Sequence, residues 1–168
     1  MIKEKYLGTY MKTARLFAEH SSAVRKKVGA VIVKDDRIIS IGYNGMPSGW
    51  DNGCEYTEFM PINDATVKFQ DYPFTGNFWI DGHSVEKRYR LKTKPEVLHA
   101  ESNAIAKLAK SSESGDGASM FITCAPCIEC AKMIYQAGIK EVFYGEKYRD
   151  DKGIEFLYKC GIDVKQIN

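Results

Sequence analysis

The stretch ASMFITCAPCIECAKMIYQAG, residues 118–138, encodes a strand, a turn and a helix in direct succession. Its first part is rich in residues that favour an extended strand, such as Phe121 and Ile122. Pro126 is well placed in the first turn of a helix, and it pushes the residue before it into extended geometry. Gly138 is a typical helix-closing residue. The sequence therefore predicts a strand that ends near residue 124 and a helix that begins near residue 127.

Regular patterns elsewhere predict an α/β chain. Apolar residues recur with helical period from Leu7 to Ala18, and VGAVIV and IISIGY predict a β-hairpin around KDDR. The Gly- and Pro-rich NGMPSGWDNG after it is expected to be a loop. The other predicted elements are helices at residues 99–110 and 151–161 and strands at residues 140–145 and 162–167. Strands that alternate with helices indicate a sheet with helices on its faces.

Residues 51–97 lack clear periodicity, although they are unusually rich in aromatic side chains. Disordered segments are poor in aromatic residues, and long structureless loops are uncommon inside a compact domain. We therefore interpret this stretch as an insertion that packs on the core or at a subunit contact.

Composition restricts the class of protein. A chain of 168 residues suits one compact domain, residues 1–168, and a net charge of +2 does not indicate a nucleic-acid partner. We expect neither a membrane span nor a signal peptide, because no long apolar run is present and the N-terminus is charged. We therefore expect a cytoplasmic location. In such a reducing compartment, clustered cysteines are more often metal ligands or catalytic groups than disulfides.

The chemistry-bearing residues lie at two predicted helix starts. Cys127 and Cys130, three residues apart, share a helix face and can bind one ion. His99 begins the other helix in LHAESNA, and Glu101 follows it. One His and two Cys make a three-ligand zinc site with an open position, which is typical of a catalytic metal. Zinc there lowers the pKa of a water molecule, and Glu101 is placed to carry the proton without being a ligand.

Other interpretations of these cysteines are weaker. A zinc ribbon needs a second C-x-x-C, which the chain lacks, and a redox dithiol explains neither His99 nor Glu101. We interpret Cys124, beyond the turn, and Cys160 as small buried hydrophobic residues.

The combination of H-x-E with P-C-x-x-C matches the signature of zinc nucleobase deaminases. More narrowly, VGAVIV, GYNGMPSG, HAESNAI, APCIECAKMI and the pair Cys54–Glu55 resemble the deoxycytidylate (dCMP) deaminase family, including its phage members. The resemblance implies a three-layer α/β/α sandwich with a central mixed five-stranded sheet and an aromatic-rich insertion. It also implies hydrolytic conversion of dCMP to dUMP, with Glu101 as the catalytic residue. The alternatives are a deaminase of another base or of a polynucleotide such as tRNA, and a non-catalytic zinc or nucleotide-binding module.

The same resemblance implies substrate contacts. Asn44 would bind the sugar 3′-hydroxyl, Tyr148 would lie beside the substrate, the backbone amide of Ala100 would face the base carbonyl, and the small Ala125 would leave room. Arg25 is our candidate for the phosphate. Asn44 can also be only a turn residue, Tyr148 only a core or surface aromatic, and the basic run only a solvated face.

Regulated members of the family carry a segment like GYNGMPSG, which implies control by triphosphates with Mg²⁺ in a homo-oligomer, expected to be a hexamer. Because dUMP feeds thymidylate synthesis, dCTP is expected to activate and dTTP to inhibit. The candidate allosteric residues are Gly42, Tyr43, Gly45, Met46, Ser48 and Lys26. The alternative is that the glycines only form a turn.

Some phage members hold a second, structural zinc, but only one of its ligands is matched here. Cys54 is that residue, and the other matching positions are Ala23, Tyr89 and Val97. We therefore expect no second zinc near Cys54.

Overall fold

The structure, a computed structural model, describes residues 2–62 and 66–167. Its elements are α1 (Glu4–Ala18), β1 (Gly29–Lys34), β2 (Arg37–Tyr43), β3 (Glu55–Phe59), β4 (Phe74–Ile80), β5 (His83–Thr93), α2 (Ala100–Leu108), β6 (Ser119–Cys124), α3 (Ile128–Gln136), β7 (Glu141–Glu146), α4 (Lys152–Lys159) and β8 (Asp163–Gln166). Every helix and strand predicted outside the insertion is present, with boundaries that differ by a few residues at most. Among the described helices, none combines the length and the apolar character that a bilayer span requires.

Five strands form a central mixed sheet in the order β2-β1-β6-β7-β8. β1 pairs antiparallel with both β2 and β6, whereas β6, β7 and β8 run parallel. The parallel strands follow from the helical crossovers α3 and α4, which bring the chain back to the same end of the sheet. The mixed five-stranded sheet implied by the family resemblance is confirmed.

Helices cover both faces of this sheet, because side chains alternate along each strand. On one face, Val31, Val33, Phe121 and Phe143 pack against Tyr10, Met11 and Ala14 of α1. On the other face, Ile32, Met120, Ile122 and Val142 pack with apolar residues of α2, α3 and α4. The result is the predicted three-layer α/β/α arrangement, and α2 and α3 lie side by side on the same face.

Residues of the insertion form a second sheet of three antiparallel strands in the order β3-β5-β4. These strands were not predicted from the sequence. The sheet places Phe59, Phe74, Phe78 and Tyr89 on one face, where their rings contact each other at centroid separations of 4.7–5.5 Å. The insertion therefore has a cross-strand aromatic cluster of its own. It contacts the loop before β1 through its base, the paired residues Glu55 and Thr93. Residues 63–65 of the predicted insertion lie outside the described residues.

Candidate active site

Three potential metal ligands converge where two helices begin on the same face of the central sheet. His99 is the N-cap residue of α2, Cys127 is the N-cap residue of α3, and Cys130 lies in the first turn of α3. His99 Nδ1 is 3.6 Å from Cys127 Sγ and 3.3 Å from Cys130 Sγ. Because β6 ends at Cys124 and Pro126 separates it from α3, the chain turns so that both sulfurs face α2.

The ligand geometry fits zinc. The three ligand atoms all lie within 4.8 Å of one another. A tetrahedral zinc with bonds of about 2.3 Å to sulfur and about 2.0 Å to nitrogen separates these atoms by about 3.5 Å. The observed distances of 3.3 Å and 3.6 Å bracket that value. One nitrogen and two sulfur ligands are also the donor set that zinc prefers, and they leave its fourth position open.

Glu101 lies directly behind this group, in the first turn of α2, and is only 4% exposed. Burial is the main reason that the pKa of Glu101 is raised to about 7. The hydrogen bond with Cys130 is the largest cause that lowers the pKa of Cys127 to about 3, which is typical of a thiol ready to bind a metal. A carboxyl group with a pKa near neutrality can both accept and donate a proton.

A cavity of about 330 Å³ opens over these residues. Its wall contains every substrate-binding residue expected from the sequence, together with charged and small groups from several segments of the chain. The lining residues are Ala23, Arg25, Lys26, Val28, Asn44, Glu55, Thr93, Val97, His99, Ala100, Glu101, Cys124, Ala125, Cys127, Lys147, Tyr148 and Arg149.

Comparison with known proteins identifies the family. The model for the cytidine and deoxycytidylate deaminase zinc-binding region matches residues 5–146. The chain belongs to this family. The match spans His99, Glu101 and both cysteines of the metal group, so the residues brought together by the fold are those within the family's zinc-binding region.

Several relatives are similar over most of the chain. The deoxycytidylate deaminase of Enterobacteria phage T4 is 35% identical over 94% of this chain and 87% of its own length. The human deoxycytidylate deaminase is 40% identical over 84% of this chain and 65% of its own length. The crystal structure of the dCMP deaminase from cyanophage S-TIM5, in complex with dCMP and dUMP, superposes with a TM-score of 0.77 at 40% identity. That match covers 99% of this chain and 100% of the other.

In this member of the family the cavity carries more positive than negative groups. Arg25, Lys26, Lys147 and Arg149 line it, against Glu55 and Glu101. Two of the cations have acidic neighbours, because Lys26 Nζ lies 2.9 Å from Glu146 and Arg149 Nε lies 3.7 Å from Asp150. Arg25 and Lys147 are the other two cations of the wall, and an anionic ligand such as a nucleotide phosphate can meet them there.

The remaining expected substrate residues occupy defined positions. Asn44 accepts a hydrogen bond from the Val28 amide at 2.7 Å and donates one to the Lys26 carbonyl at 2.9 Å. Its side chain thus braces the segment before β1 while lining the cavity. Ala100 and Ala125 are buried, and Tyr148 is half-buried in the cavity wall. Whether these residues touch substrate stays a prediction.

The candidate allosteric residues differ in their exposure. Gly42 is buried in β2, and a Cβ there would lie 2.1 Å from the carbonyl oxygen of Ala100. Packing of α2 on the sheet thus explains this glycine. Tyr43, Gly45 and Met46 are half-buried and Ser48 is exposed. Lys26 is exposed at the active-site cavity, so it lies on the catalytic side of that segment.

Three of the four positions that match the second zinc site of some phage members pack together here as an apolar cluster. Ala23, Cys54 and Val97 form a small buried cluster against Met46. Cys54 Sγ lies 3.3 Å from Ser22 Oγ. The cluster offers one thiol and otherwise aliphatic groups. Tyr89, the fourth matching position, instead contacts Phe74 and Phe78 in the insertion.

Four polar or charged residues that line the cavity were given no role from the sequence. Lys147 and Arg149 flank Tyr148, and Glu55 and Thr93 come from the insertion. Lys147 and Arg149 had a usable signal, since they follow the C-terminal end of a strand of the central sheet. Glu55 belongs to the Cys54–Glu55 pair of the family resemblance, but neither it nor Thr93 had a signal for a place in the cavity wall, because each acquires that position only when the insertion folds as a sheet.

Proposed function

We propose that the protein is a zinc-dependent hydrolase that deaminates dCMP to dUMP and ammonia. The observation that carries the proposal is a buried carboxyl group, Glu101, beside a His-Cys-Cys ligand group in a cavity whose wall also carries Arg25 and other cations. The similarity to deoxycytidylate deaminases, one of them crystallised with dCMP and dUMP, supports this substrate.

His99, Cys127 and Cys130 are the residues that would hold the zinc ion. When bound in such a site, zinc polarises a water molecule and lowers its pKa toward neutrality. The three ligand residues lie at the starts of two helices, and both sulfurs are already close to His99 Nδ1. The ligand atoms are therefore preorganised for a metal ion.

Glu101 carries the protons of the reaction. It accepts one from the attacking water as the C4–O bond forms, and it delivers this proton to N3 of the pyrimidine. It then transfers the second proton of the water to the amino group, which leaves as ammonia when the C4–N bond breaks. A pKa of about 7 allows both directions of transfer at neutral pH.

The other cavity residues bind and orient the substrate. The Ala100 amide, at the start of α2, can donate to the carbonyl of the base, and Ala125 leaves space for the ring. Asn44 would meet the sugar and Tyr148 would cover the open side. Arg25, at the cavity wall, would bind the 5′-phosphate.

We further propose that the enzyme is a cytoplasmic homohexamer that supplies dUMP for thymidylate synthesis. In this proposal dCTP with Mg²⁺ activates it and dTTP inhibits it. The loop after β2 supports this idea because it combines the exposed Ser48 and Gly49 with a direct connection to Asn44 in the cavity. A ligand bound at this loop could therefore alter the active site through one short segment.

The reaction is tested by ammonia release from dCMP by the purified zinc-loaded protein. We expect turnover of dCMP and none of tRNA. Deamination of adenosine in tRNA, or of another free base, in place of dCMP would show that dCMP is not the substrate. Zinc binding without ammonia release from any of these compounds would favour the alternative of a non-catalytic zinc or nucleotide-binding module.

A further inference from the structure

The insertion contributes directly to the wall of the active-site cavity, through two residues that hold the loop before β1. Glu55 Oε1 accepts hydrogen bonds from the backbone amides of Val24 and Arg25, each at 3.1 Å. Arg25 Nη1 donates to Thr93 Oγ1 at 3.0 Å. Glu55 and Thr93 are themselves opposite each other in the β3–β5 pair. One rung of the insertion sheet therefore fixes both the backbone and the guanidinium group of Arg25.

The type of partner decides what Arg25 can still bind. The Thr93 hydroxyl is neutral, so this hydrogen bond orients the guanidinium without cancelling its charge. By contrast, Lys26 lies 2.9 Å from a Glu146 carboxylate oxygen. The Glu55 carboxylate directs Oε1 to backbone amides rather than to the guanidinium. Arg25 thus keeps its charge and further N–H donors for an anion.

We infer that Glu55 and Thr93 are positioning residues that hold Arg25 for the 5′-phosphate, so that the base of the insertion sheet makes the enzyme select nucleotides over nucleosides. The inference rests on the proposed function for the identity of the ligand. Its physical basis is preorganisation, because an arginine ordered before binding loses less conformational freedom when the phosphate arrives.

Binding of dUMP and of deoxyuridine, measured by calorimetry, tests the inference without relying on turnover. The two ligands differ only by the phosphate. Thr93→Val removes the hydroxyl with little change in shape, and we expect it to weaken dUMP binding by about 3- to 10-fold, as for one hydrogen bond. Deoxyuridine binding should be unchanged. Thr93→Ser, which keeps the hydroxyl, should bind both ligands like the wild-type protein.

Glu55 is tested by the matched pair Glu55→Gln and Glu55→Ala. Gln keeps an oxygen that accepts from both amides, so it should retain selectivity for dUMP, whereas Ala should lose it. In an Arg25→Ala background, Thr93→Val should cause no further loss of dUMP binding, because its effect acts through Arg25. Equal weakening of dUMP and deoxyuridine would show a merely structural role and overturn the inference. So would full selectivity in Thr93→Val.

The outcomes separate this inference from the proposed reaction. A wild-type protein that binds dUMP more tightly than deoxyuridine, with the expected Thr93→Val penalty, would uphold the inference even if it released no ammonia from dCMP. A protein that deaminates dCMP but binds dUMP and deoxyuridine equally would uphold the reaction and refute the role of Arg25, Glu55 and Thr93.

Discussion

The backbone of Ala100 rests directly on Gly42: a Cβ built at Gly42 would lie 2.1 Å from the carbonyl oxygen of Ala100 and 2.6 Å from the amide nitrogen of Ala104. At this position, strand β2 therefore supports the first turn of α2 by direct contact between the two backbones. That turn follows His99 and carries Glu101. The position of both groups relative to the cysteines of α3 thus depends on a residue that touches no ligand.

Gly42→Ala should consequently disturb the active site by displacing α2, which carries Glu101. The methyl group must displace α2, and overpacking of this kind typically costs about 1–3 kcal/mol of stability. Since a shift of about 1 Å can reduce a rate by about 10²-fold, we also expect a large loss of kcat. Denaturant unfolding and steady-state kinetics measure the two effects.

Gly8→Ala is the matched control for that substitution. Gly8 lies in α1, and among the described residues nothing comes within 4 Å of a methyl group added at this position. Alanine there should stabilise the helix by about 0.5–1 kcal/mol and leave kcat unchanged. A Gly42→Ala protein with wild-type stability and activity would show that α2 is not held in place by this contact.

The core of the site could be predicted from the sequence because its residues carry local signals. Pro126 marks the strand-to-helix junction, and the spacings of Cys127–Cys130 and of His99–Glu101 place each pair at one helix start. The α/β class follows from the alternation of strands and helices, whereas the mixed five-stranded sheet was implied by the family resemblance. The local signals depend on neighbours within a few positions along the chain, which is the range over which patterns are informative.

The insertion could not be predicted in the same way. Its strands mix aromatic and polar residues without strict alternation and leave all of them at least partly exposed, as in Phe74–Ile80, so the sequence shows no buried face. Gly42 illustrates a second limit. A glycine before a Gly-rich loop suggests that the backbone must approach a ligand closely. In the structure, Gly42 instead leaves room for α2, whose residues 100–104 pack against it. Long-range packing of this kind leaves no local pattern.

The metal group gives a direct prediction. Replacing Cys127 or Cys130 with Ser should remove zinc and lower stability, because metal binding and folding are coupled. Metal content measured by emission spectroscopy after gel filtration, together with thermal unfolding, checks both effects. Treatment with a strong chelator should reproduce the loss in the wild-type protein, and added zinc should reverse it.

Cys124→Ser is the control for the ligand assignment. Cys124 is buried and its thiol points to the Lys147 carbonyl, 3.7 Å away, rather than to His99. The variant should keep one zinc per chain. Equal loss of zinc from Cys124→Ser and Cys127→Ser would contradict the assignment of the two cysteines of α3.

Glu101→Ala separates binding from chemistry. The variant should retain zinc and bind dCMP, while kcat falls by at least about 10²–10⁴-fold, the usual contribution of a proton-transfer group. Glu129→Ala is a suitable control, because Glu129 is an exposed carboxylate in the first turn of α3 that pairs with Lys132. Its kcat should match the wild-type value. Retention of more than about a tenth of kcat in Glu101→Ala would exclude the proton-shuttle role.

Regulation is the last expectation, and it can be decided by rates alone. dCTP and dTTP share sugar and phosphates, so the protein must distinguish them at the base, where one carries an amino group and the other a carbonyl and a methyl group. Opposite effects require that each prefer a different state of the oligomer, with a coupling free energy of about 1–3 kcal/mol. We therefore expect the dependence of rate on dCMP concentration to be sigmoidal with dTTP and Mg²⁺ and to become hyperbolic with dCTP and Mg²⁺. Ser48→Ala, at the exposed end of the loop after β2, should weaken the response to both triphosphates without changing the maximal rate. A hyperbolic curve that neither triphosphate alters would establish an unregulated deaminase.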